Sequence, residues 1–219
     1  MSDYRESIIR TGAREAGVFL DEKQIQIFLL YLRELKEWNQ KVNLTSLKDD
    51  TAIIKNHFID SLAIIPHLPT ASSLLDMGSG AGFPGVPLKI AQPPLQITLL
   101  EATRRKANFL RHLIRTLELP HITTLEGRAE AYTAHDHPHP LFDIVISRAL
   151  SRLKTFLLLG APFVKKGGYL VAMKGAKAEE ELHESQETLG NLSFSASRIK
   201  EVHLPGSKKK RCLILLKKS

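Results

Sequence analysis

The stretch Ser73-Leu74-Leu75-Asp76-Met77-Gly78-Ser79-Gly80-Ala81-Gly82-Phe83-Pro84-Gly85 decides the fold. A short apolar run enters a glycine-rich turn, with an aspartate two residues before the first glycine. Leu74, Leu75 and Met77 suit a buried strand. The turn needs positive φ and close approach of the backbone to a ligand, and glycine supplies both. Three alternating glycines are conformationally expensive in a turn that binds nothing. N–H groups exposed at such a turn suit a nucleotide-like ligand. A second acid, Glu101, ends the next apolar run, Gln96-Ile97-Thr98-Leu99-Leu100. It follows the loop by about 20 residues, the spacing at which an acid can bond ribose hydroxyls. Loop and acid together imply an adenosine-containing cofactor.

Gly80-Ala81-Gly82-Phe83-Pro84-Gly85 satisfies the dinucleotide pattern G-x-G-x-x-G only in letter. In a dinucleotide fold the third glycine lies inside the first helix. Here it follows a proline, and Pro87 comes two residues later, which suits a loop and a first helical turn. The frame D-x-G-x-G-x-G, Asp76 to Gly82, resembles instead the first motif of S-adenosylmethionine-dependent methyltransferases of the Rossmann-like class.

Before this stretch the chain reads as helical. Apolar residues at 25, 28, 29, 32 and 35 follow the helical period over 24–38, with further helices over 4–18 and 51–65, the last stopped by Pro66. After it, strands and helices alternate. Strands are expected at 73–78, 96–101, 122–126, 142–147, 169–174, 194–204 and 211–217, with helices near 87–91, 104–117, 153–163 and 179–189. Helical crossovers favour parallel strands, and the short turn around Pro205-Gly206-Ser207 favours a closing antiparallel hairpin. The expected fold is α/β: a Rossmann-like, class I methyltransferase with a seven-stranded, mostly parallel sheet, one antiparallel strand and an N-terminal helical cap. The cap is residues 1–70 and the cofactor domain 71–219, packed as one unit. Residues 133–140 (TAHDHPHP) form the expected mobile loop.

The 219 residues carry a net charge of +8, unevenly distributed. Residues 1–60 hold 9 Lys and Arg against 10 Asp and Glu, so the excess lies in the remainder. Such an excess suits a polyanionic partner, and equally a merely soluble basic surface. Cys212 is the single cysteine, which rules out an internal disulfide and suits burial as a small hydrophobe. Met1–Arg10 shows no signal pattern, and no apolar run approaches the roughly 18 residues of a membrane span. A cytoplasmic protein with no membrane partner is expected. No coiled-coil pattern points to an obligate dimer, and a monomer is expected. No metal site is assigned.

Further segments carry a more specific resemblance. These are Trp38–Thr45 (WNQKVNLT), His57–Leu62 (HFIDSL), 74–90 (LLDMGSGAGFPGVPLKI), 127–130 (GRAE), 146–149 (ISRA) and 173–175 (MKG). Together they resemble the bacterial 16S ribosomal RNA guanine-N7 methyltransferase family, also called RsmG or GidB, over residues 20–217. The resemblance implies methyl transfer from S-adenosyl-L-methionine to ring nitrogen 7 of one guanine near the decoding region of 16S rRNA, on naked RNA or the small ribosomal subunit. It implies cofactor contacts at Gly78, Phe83, Ala129, Glu130 and Arg148. General motif logic adds Asp76, Gly80, Gly82 and Glu101.

Two readings stand for several of these residues. Asp76 supports the loop by accepting its N–H groups, or reaches the cofactor through water. Phe83 packs near the cofactor or anchors the loop, and Glu130 borders adenine or is a helix-start acid. Arg148, directly after the fourth strand, holds the cofactor carboxylate or an RNA phosphate, and is the residue assigned to positioning. Guanine nitrogen 7 has an in-plane lone pair and no proton to lose, so none of His57, His112 and His121 is assigned as a base. Candidate RNA contacts are Arg104, Arg111 and Arg115, at helical spacing with Asn108, then Lys174 at the fifth strand's end, and Lys208, Lys209 and Lys210 in a basic turn. The competing readings are a methyltransferase for a protein or small molecule, a dehydrogenase, and a cofactor- and RNA-binding module without turnover.

Overall fold

The computed structural model describes residues 3–133, 140–148, 152–205 and 211–219, without the side chains of 196 and 197. Residues 134–139 of the expected loop at 133–140, the turn residues 206–207 and Lys208, Lys209 and Lys210 lie outside the described residues.

The strands are β1 (Ser73–Met77), β2 (Gln96–Glu101), β3 (Ile122–Glu126), β4 (Phe142–Arg148), β5 (Val164–Lys174), β6 (Phe194–Val202) and β7 (Arg211–Lys218). They form one sheet in the order β3-β2-β1-β4-β5-β7-β6. Every pair from β3 to β5 is parallel, and β7 runs antiparallel to both β5 and β6. The seven strands and the single reversal are as the sequence pattern implies. β5 differs at its start. Gly167-Gly168 is expected to open the strand at Tyr169, yet the strand begins at Val164 and bulges through these glycines, with Gly167 at φ +75°. The register jumps from Phe142–Val164 to Ile144–Tyr169. Gly168 has no room for a side chain, because a Cβ there would lie 2.9 Å from the Asp143 carbonyl oxygen.

The cap begins with α1 (Tyr4–Glu15) and α2 (Glu22–Asn39). Asp21 and Gln24 close a reciprocal capping box at the start of α2. One helix is expected over 51–65. The chain instead makes α3 (Asp50–Ile53), a π-helical segment (Ile54–Ile59) and α4 (Asp60–Leu62). Such wide turns loosen the regular backbone ladder and are frequent at functional sites. Next come α5 (Gly85–Ala91), α6 (Arg104–Thr116), α7 (Ala129–Thr133) and α8 (Leu153–Gly160). The expected charged helix over 179–189 is broken into α9 (Ala178–Glu184) and α10 (Gln186–Asn191). At the break, Ser185 Oγ donates to the Glu181 carbonyl at 2.7 Å, a back-bond that competes with the helical pattern.

The alternation of β-strand side chains builds two cores. Leu74, Leu99, Ile144, Ile146 and Val171 face the cap side, where they join Phe28, Leu32, Ile54 and Phe58 in one apolar cluster. Leu75, Leu100, Val145, Leu170 and Ala172 face the other way, against Phe156 and Leu157 of α8 and Leu189 of α10. Cap and sheet thus share a continuous core. The sheet's C-terminal edge holds the loop that opened the sequence.

Candidate active site

A crevice of about 180 Å³ opens at that edge. Met77 and Gly78 end β1, Leu100 and Ala102 flank the end of β2, and Gly127, Arg128, Ala129 and Glu130 follow β3. Open α/β sheets bind ligands at the carboxyl ends of their strands. The crevice is mostly apolar and has room for a purine. Ala129 is buried and Glu130 exposed at the start of α7, so their backbone and side chains border the opening. Of the candidate cofactor residues, Gly78, Ala129 and Glu130 therefore line one cavity. Arg128, Leu100 and Ala102 line it too, and the sequence reading did not single them out. Cavities of about 420 to 460 Å³ lie elsewhere, away from the carboxyl ends of the strands.

The loop corrects one expectation. Gly78, Gly80 and Gly82 have φ of +73°, +58° and +96°, as the glycine pattern requires. Their N–H groups, however, are not exposed donors. Gly78 and Ser79 donate to the Leu100 carbonyl at 2.8 and 3.2 Å, and Gly82 and Phe83 donate to the Ser79 carbonyl at 2.7 and 3.0 Å. Gly80 donates to Glu101 Oε2 at 2.9 Å. A pyrophosphate needs such donors free. A loop whose donors are already spent suits a nucleoside cofactor without phosphate, and S-adenosylmethionine is one. A Cβ on Gly80 would meet only the Gly78 carbonyl at 3.9 Å, so glycine leaves open space there.

Glu101 and Asp76 brace this loop from below. Glu101 is 6% exposed, and its other oxygen, Oε1, accepts the Thr103 N–H at 2.8 Å. It thus ties the glycine loop to the start of α6, and each oxygen keeps a second lone pair for a ribose hydroxyl. Asp76 is fully buried, with Oδ2 accepting the Gly85 N–H at 2.8 Å and Oδ1 without a partner. Of its two readings, the contact present is the one that supports the loop. Burial pushes its pKa up to about 7, outweighing the Gly85 N–H and Arg148, which favour the charged form. Gly85 must be glycine for want of space: a Cβ would lie 2.5 Å from Leu99 Cδ2 and 2.8 Å from Asp76 Oδ2.

Phe83 is 4% exposed and anchors the far side of the loop in an aromatic stack. His57 lies 4.6 Å from its ring centroid and Tyr31 5.4 Å, both near parallel. Tyr31 Oη donates to the Ala81 carbonyl at 2.5 Å, fixing the loop to α2. The guanidinium of Arg148 sits 4.9 Å from the Phe83 centroid. Its Nη1 donates to the Asn56 carbonyl at 3.2 Å and to Asp60 Oδ2 at 3.1 Å, and its Nη2 donates to His57 Nδ1 at 3.1 Å. Nε2 of His57 lies within hydrogen-bond distance of Thr45 Oγ1, at 2.8 Å. His57 Nδ1 also lies 3.1 Å from the Asn56 carbonyl, to which a protonated Nδ1 donates in place of accepting from Arg148. Burial first, and the Arg148 charge second, push His57 down to about 4, so the ring is neutral at physiological pH. Asn39 positions Thr45 in turn: its Oδ1 accepts the Leu44 and Thr45 N–H groups at 2.8 and 2.9 Å. The segments WNQKVNLT, HFIDSL and ISRA thus converge on one side chain, Arg148.

Asp60 completes the cluster. It is 0% exposed and receives Arg211 in a two-point fork, Nε to Oδ1 at 2.7 Å and Nη2 to Oδ2 at 3.0 Å. Asp60 is not among the site residues expected from sequence, and Arg211 reads there only as the last member of the basic turn that begins at Lys208. The other candidates are placed apart. Lys174 is 10% exposed and paired with Glu181 at 2.7 Å, so it is not the free lysine expected for an RNA backbone. Arg104, Arg111 and Arg115 lie exposed along α6, with Arg111 paired to Glu126 at 2.9 Å and bonded to Asn108. His112 bonds Glu34 at 2.8 Å, far from the loop in sequence and on a helix face.

Known proteins resemble this chain in sequence and in fold. The family profile described as rRNA small subunit methyltransferase G matches residues 24–213. A protein named ribosomal RNA small subunit methyltransferase G from Desulfitobacterium hafniense is 38% identical over 219 residues, covering 100% of this chain and 91% of that protein. One of the same name from Acetivibrio thermocellus is 42% identical, covering 94% of this chain and 86% of its own. Among solved structures, an O-methyltransferase from Bacillus cereus in complex with SAH has a TM-score of 0.60 at 15% identity, covering 87% of this chain and 91% of that one. Aeropyrum pernix fibrillarin with natively bound S-adenosyl-L-methionine has a TM-score of 0.51 at 16% identity, covering 66% of each chain. At these identities the structural likeness establishes the fold.

Proposed function

The chain belongs to the rRNA small subunit methyltransferase G family, and from that premise we propose that it methylates ring nitrogen 7 of one guanine near the decoding region of 16S rRNA. It is an S-adenosylmethionine-dependent rRNA methyltransferase with a Rossmann-like fold. When bound, the cofactor supplies a methyl group on a positively charged sulfur, and the acceptor must bring a lone pair in line with it. Orientation supplies much of the rate in such a transfer.

Nitrogen 7 is what membership of the family implies, and the acids and imidazole against the loop are already engaged: Glu101 by the Gly80 and Thr103 N–H groups, Asp76 by the Gly85 N–H, His57 by Arg148, Asn56 and Thr45. His57 is neutral, and its ring nitrogens are engaged by Arg148 and the Asn56 carbonyl on one side and Thr45 on the other. Asp76 has a pKa near neutrality, but lies fully buried beneath the loop and cannot reach an acceptor. A hydroxyl, thiol or exocyclic amine has a proton to lose, and nitrogen 7 has none. This chain's residues therefore bind and orient. Gly78, Ala129 and Glu130 would hold the adenosine part, Gly80 and Gly82 would let the loop backbone approach it, Glu101 would accept from the ribose, and Phe83 with Arg148 would form the wall toward the cap. Asp76 holds the loop to α5.

The exposed arginines of α6 and Arg128 at the crevice mouth favour a polyanionic substrate. We assign Arg104, Arg111 and Arg115 to the RNA backbone, and the basic residues Lys208, Lys209 and Lys210 to the same role. Lys174 serves instead to hold α9 against the sheet. A monomer acting in the cytoplasm on the small subunit or its RNA fits the reading, and no helix among the described residues is long and apolar enough to cross a membrane. The test is transfer of labelled methyl to small subunits and, separately, to naked 16S rRNA, both from cells lacking this enzyme. Label on either RNA is expected. No label on either, with the cofactor measurably bound, overturns the reading in favour of another acceptor or a binding module without turnover.

A further inference from the structure

The cluster around Asp60 holds one carboxylate between two guanidinium groups, and the two are not bound alike. Arg211 takes both oxygens in a fork at 2.7 and 3.0 Å. Arg148 donates one hydrogen bond, at 3.1 Å, from an Nη1 shared with the Asn56 carbonyl. Asp60 is 0% exposed, so no water competes for its charge. A forked guanidinium–carboxylate pair is the stronger of the two geometries and forms a neutral unit. One positive charge is therefore left over in the cluster, and the weaker bonding places it on Arg148. The Arg148 guanidinium is also held in orientation by the Phe83 ring face at 4.9 Å and by His57 Nδ1 at 3.1 Å. Its Nε–H and one Nη2–H have no partner among the described residues. Asp76, the other buried acid whose field reaches Arg148, makes no ion pair with it and is bonded to the Gly85 N–H.

We propose that Arg211 is a positioning residue that keeps Arg148 available: by taking the charge of Asp60, it lets that buried carboxylate orient Arg148 without neutralising it. Arg148 then offers a net positive charge and two free donors to an oxyanion at the strand ends, either the cofactor carboxylate or an RNA phosphate. Without Arg211, the only cation on Asp60 among the described residues is Arg148, and a buried pair of one acid and one base presents no net charge to a ligand. The inference rests on the reading above that Arg148 serves the site. It gives Arg211, 151 residues from Asp60 in sequence, a task that packing alone would not.

The test uses the full-length protein and two binding measurements: calorimetric titration with S-adenosylhomocysteine, which carries the same carboxylate, and filter binding of small subunits. Arg211→Gln should weaken one of them about tenfold, the scale of a lost hydrogen bond to a charged group. Loss in the first measurement identifies the carboxylate as the oxyanion, and loss in the second identifies a phosphate. The double variant Asp60→Asn/Arg211→Gln should recover to within about threefold of the parent, because the substituted amide can still accept from Arg148 and no longer cancels its charge. Arg211→Lys keeps the charge and should also stay near the parent, and with the double variant it gives the answer if Arg211→Gln does not fold. A packing role makes the double variant at least as poor as the single one, and that result overturns the proposal. If Arg148→Gln binds both ligands as the parent does, the reading of Arg148 fails and takes the proposal with it. If Arg148→Gln binds poorly while Arg211→Gln binds normally, the proposal alone fails.

Discussion

Replacing Asp76 by Asn should change how stability depends on pH, and the sign follows from burial. The carboxyl is fully buried, one oxygen has no partner, and its pKa is pushed from 3.8 to about 7. In the unfolded chain the group titrates near its ordinary value. Between about pH 4 and 7 the folded protein therefore holds a proton that the unfolded chain has lost, and stability falls as pH rises. The span is about 3 pKa units, and at about 1.4 kcal/mol per unit the full effect is about 4 kcal/mol above pH 7. Asn at this position is neutral throughout. Its carbonyl oxygen can still accept the Gly85 N–H, and the amide placed where Oδ1 lacks a partner adds an offset that does not vary with pH. Urea denaturation of both proteins at pH 5, 6, 7 and 8 gives the difference, in which titrations common to both cancel. The difference should move in favour of Asn by about 1 kcal/mol per pH unit from pH 5 to 7 and level off by pH 8. A difference that is flat, or that moves in favour of Asp as pH rises, would refute the argument that burial governs this carboxyl.

Three other outcomes are expected. Gly82→Ala places a Cβ 2.8 Å from Val86 Cγ2 and 2.9 Å from Tyr31 Oη at a φ of +96°, and should cost about 1–3 kcal/mol in urea melts and weaken S-adenosylhomocysteine binding. Tyr31→Phe removes the donor to the Ala81 carbonyl in a buried setting and should cost about 1–3 kcal/mol by the same melts, with little change in the α2 helix signal. In Asp143, burial is outweighed by Lys165 and by the N–H and O–H groups of Ser72 and Ser73, which hold the carboxyl at about 2. This contribution is present above pH 4 and lost as pH falls through 2, so the advantage of the parent over Asp143→Asn should shrink by about 1 kcal/mol between pH 5 and pH 3, after allowance for its partial exposure.

Local signals made much of the fold legible. The run Ser73–Met77 ending in glycines, the apolar alternation of Gln96–Glu101 and the short connection before Arg211 each announce themselves within about ten residues. What stayed hidden depends on pairing across distance or on space. The Asp60–Arg211 fork joins residues 151 apart, and Arg211 reads in sequence as the last member of a basic turn. The π-helical turn at Ile54–Ile59 keeps the same apolar spacing as an ordinary helix over so short a length, so periodicity does not reveal it. The loop glycines predict positive φ correctly, but not that their N–H groups are turned onto Leu100, Ser79 and Glu101, because backbone partners have no side-chain signature. Lys174 at a strand end suggests a ligand contact. Only the fold shows Glu181 one helical turn into α9 reaching back to it.

The central claim is that this enzyme methylates a guanine at ring nitrogen 7 of small-subunit rRNA, and the most direct measurement is to map the methyl group after a reaction with labelled cofactor. The RNA is digested to nucleosides for mass spectrometry, and the intact strand is tested for the chain cleavage that a 7-methylated guanine permits after reduction. The account predicts a single 7-methylguanosine at one site. A methyl group on a sugar hydroxyl or an exocyclic amine would contradict it, since each of those acceptors, unlike nitrogen 7, has a proton to lose.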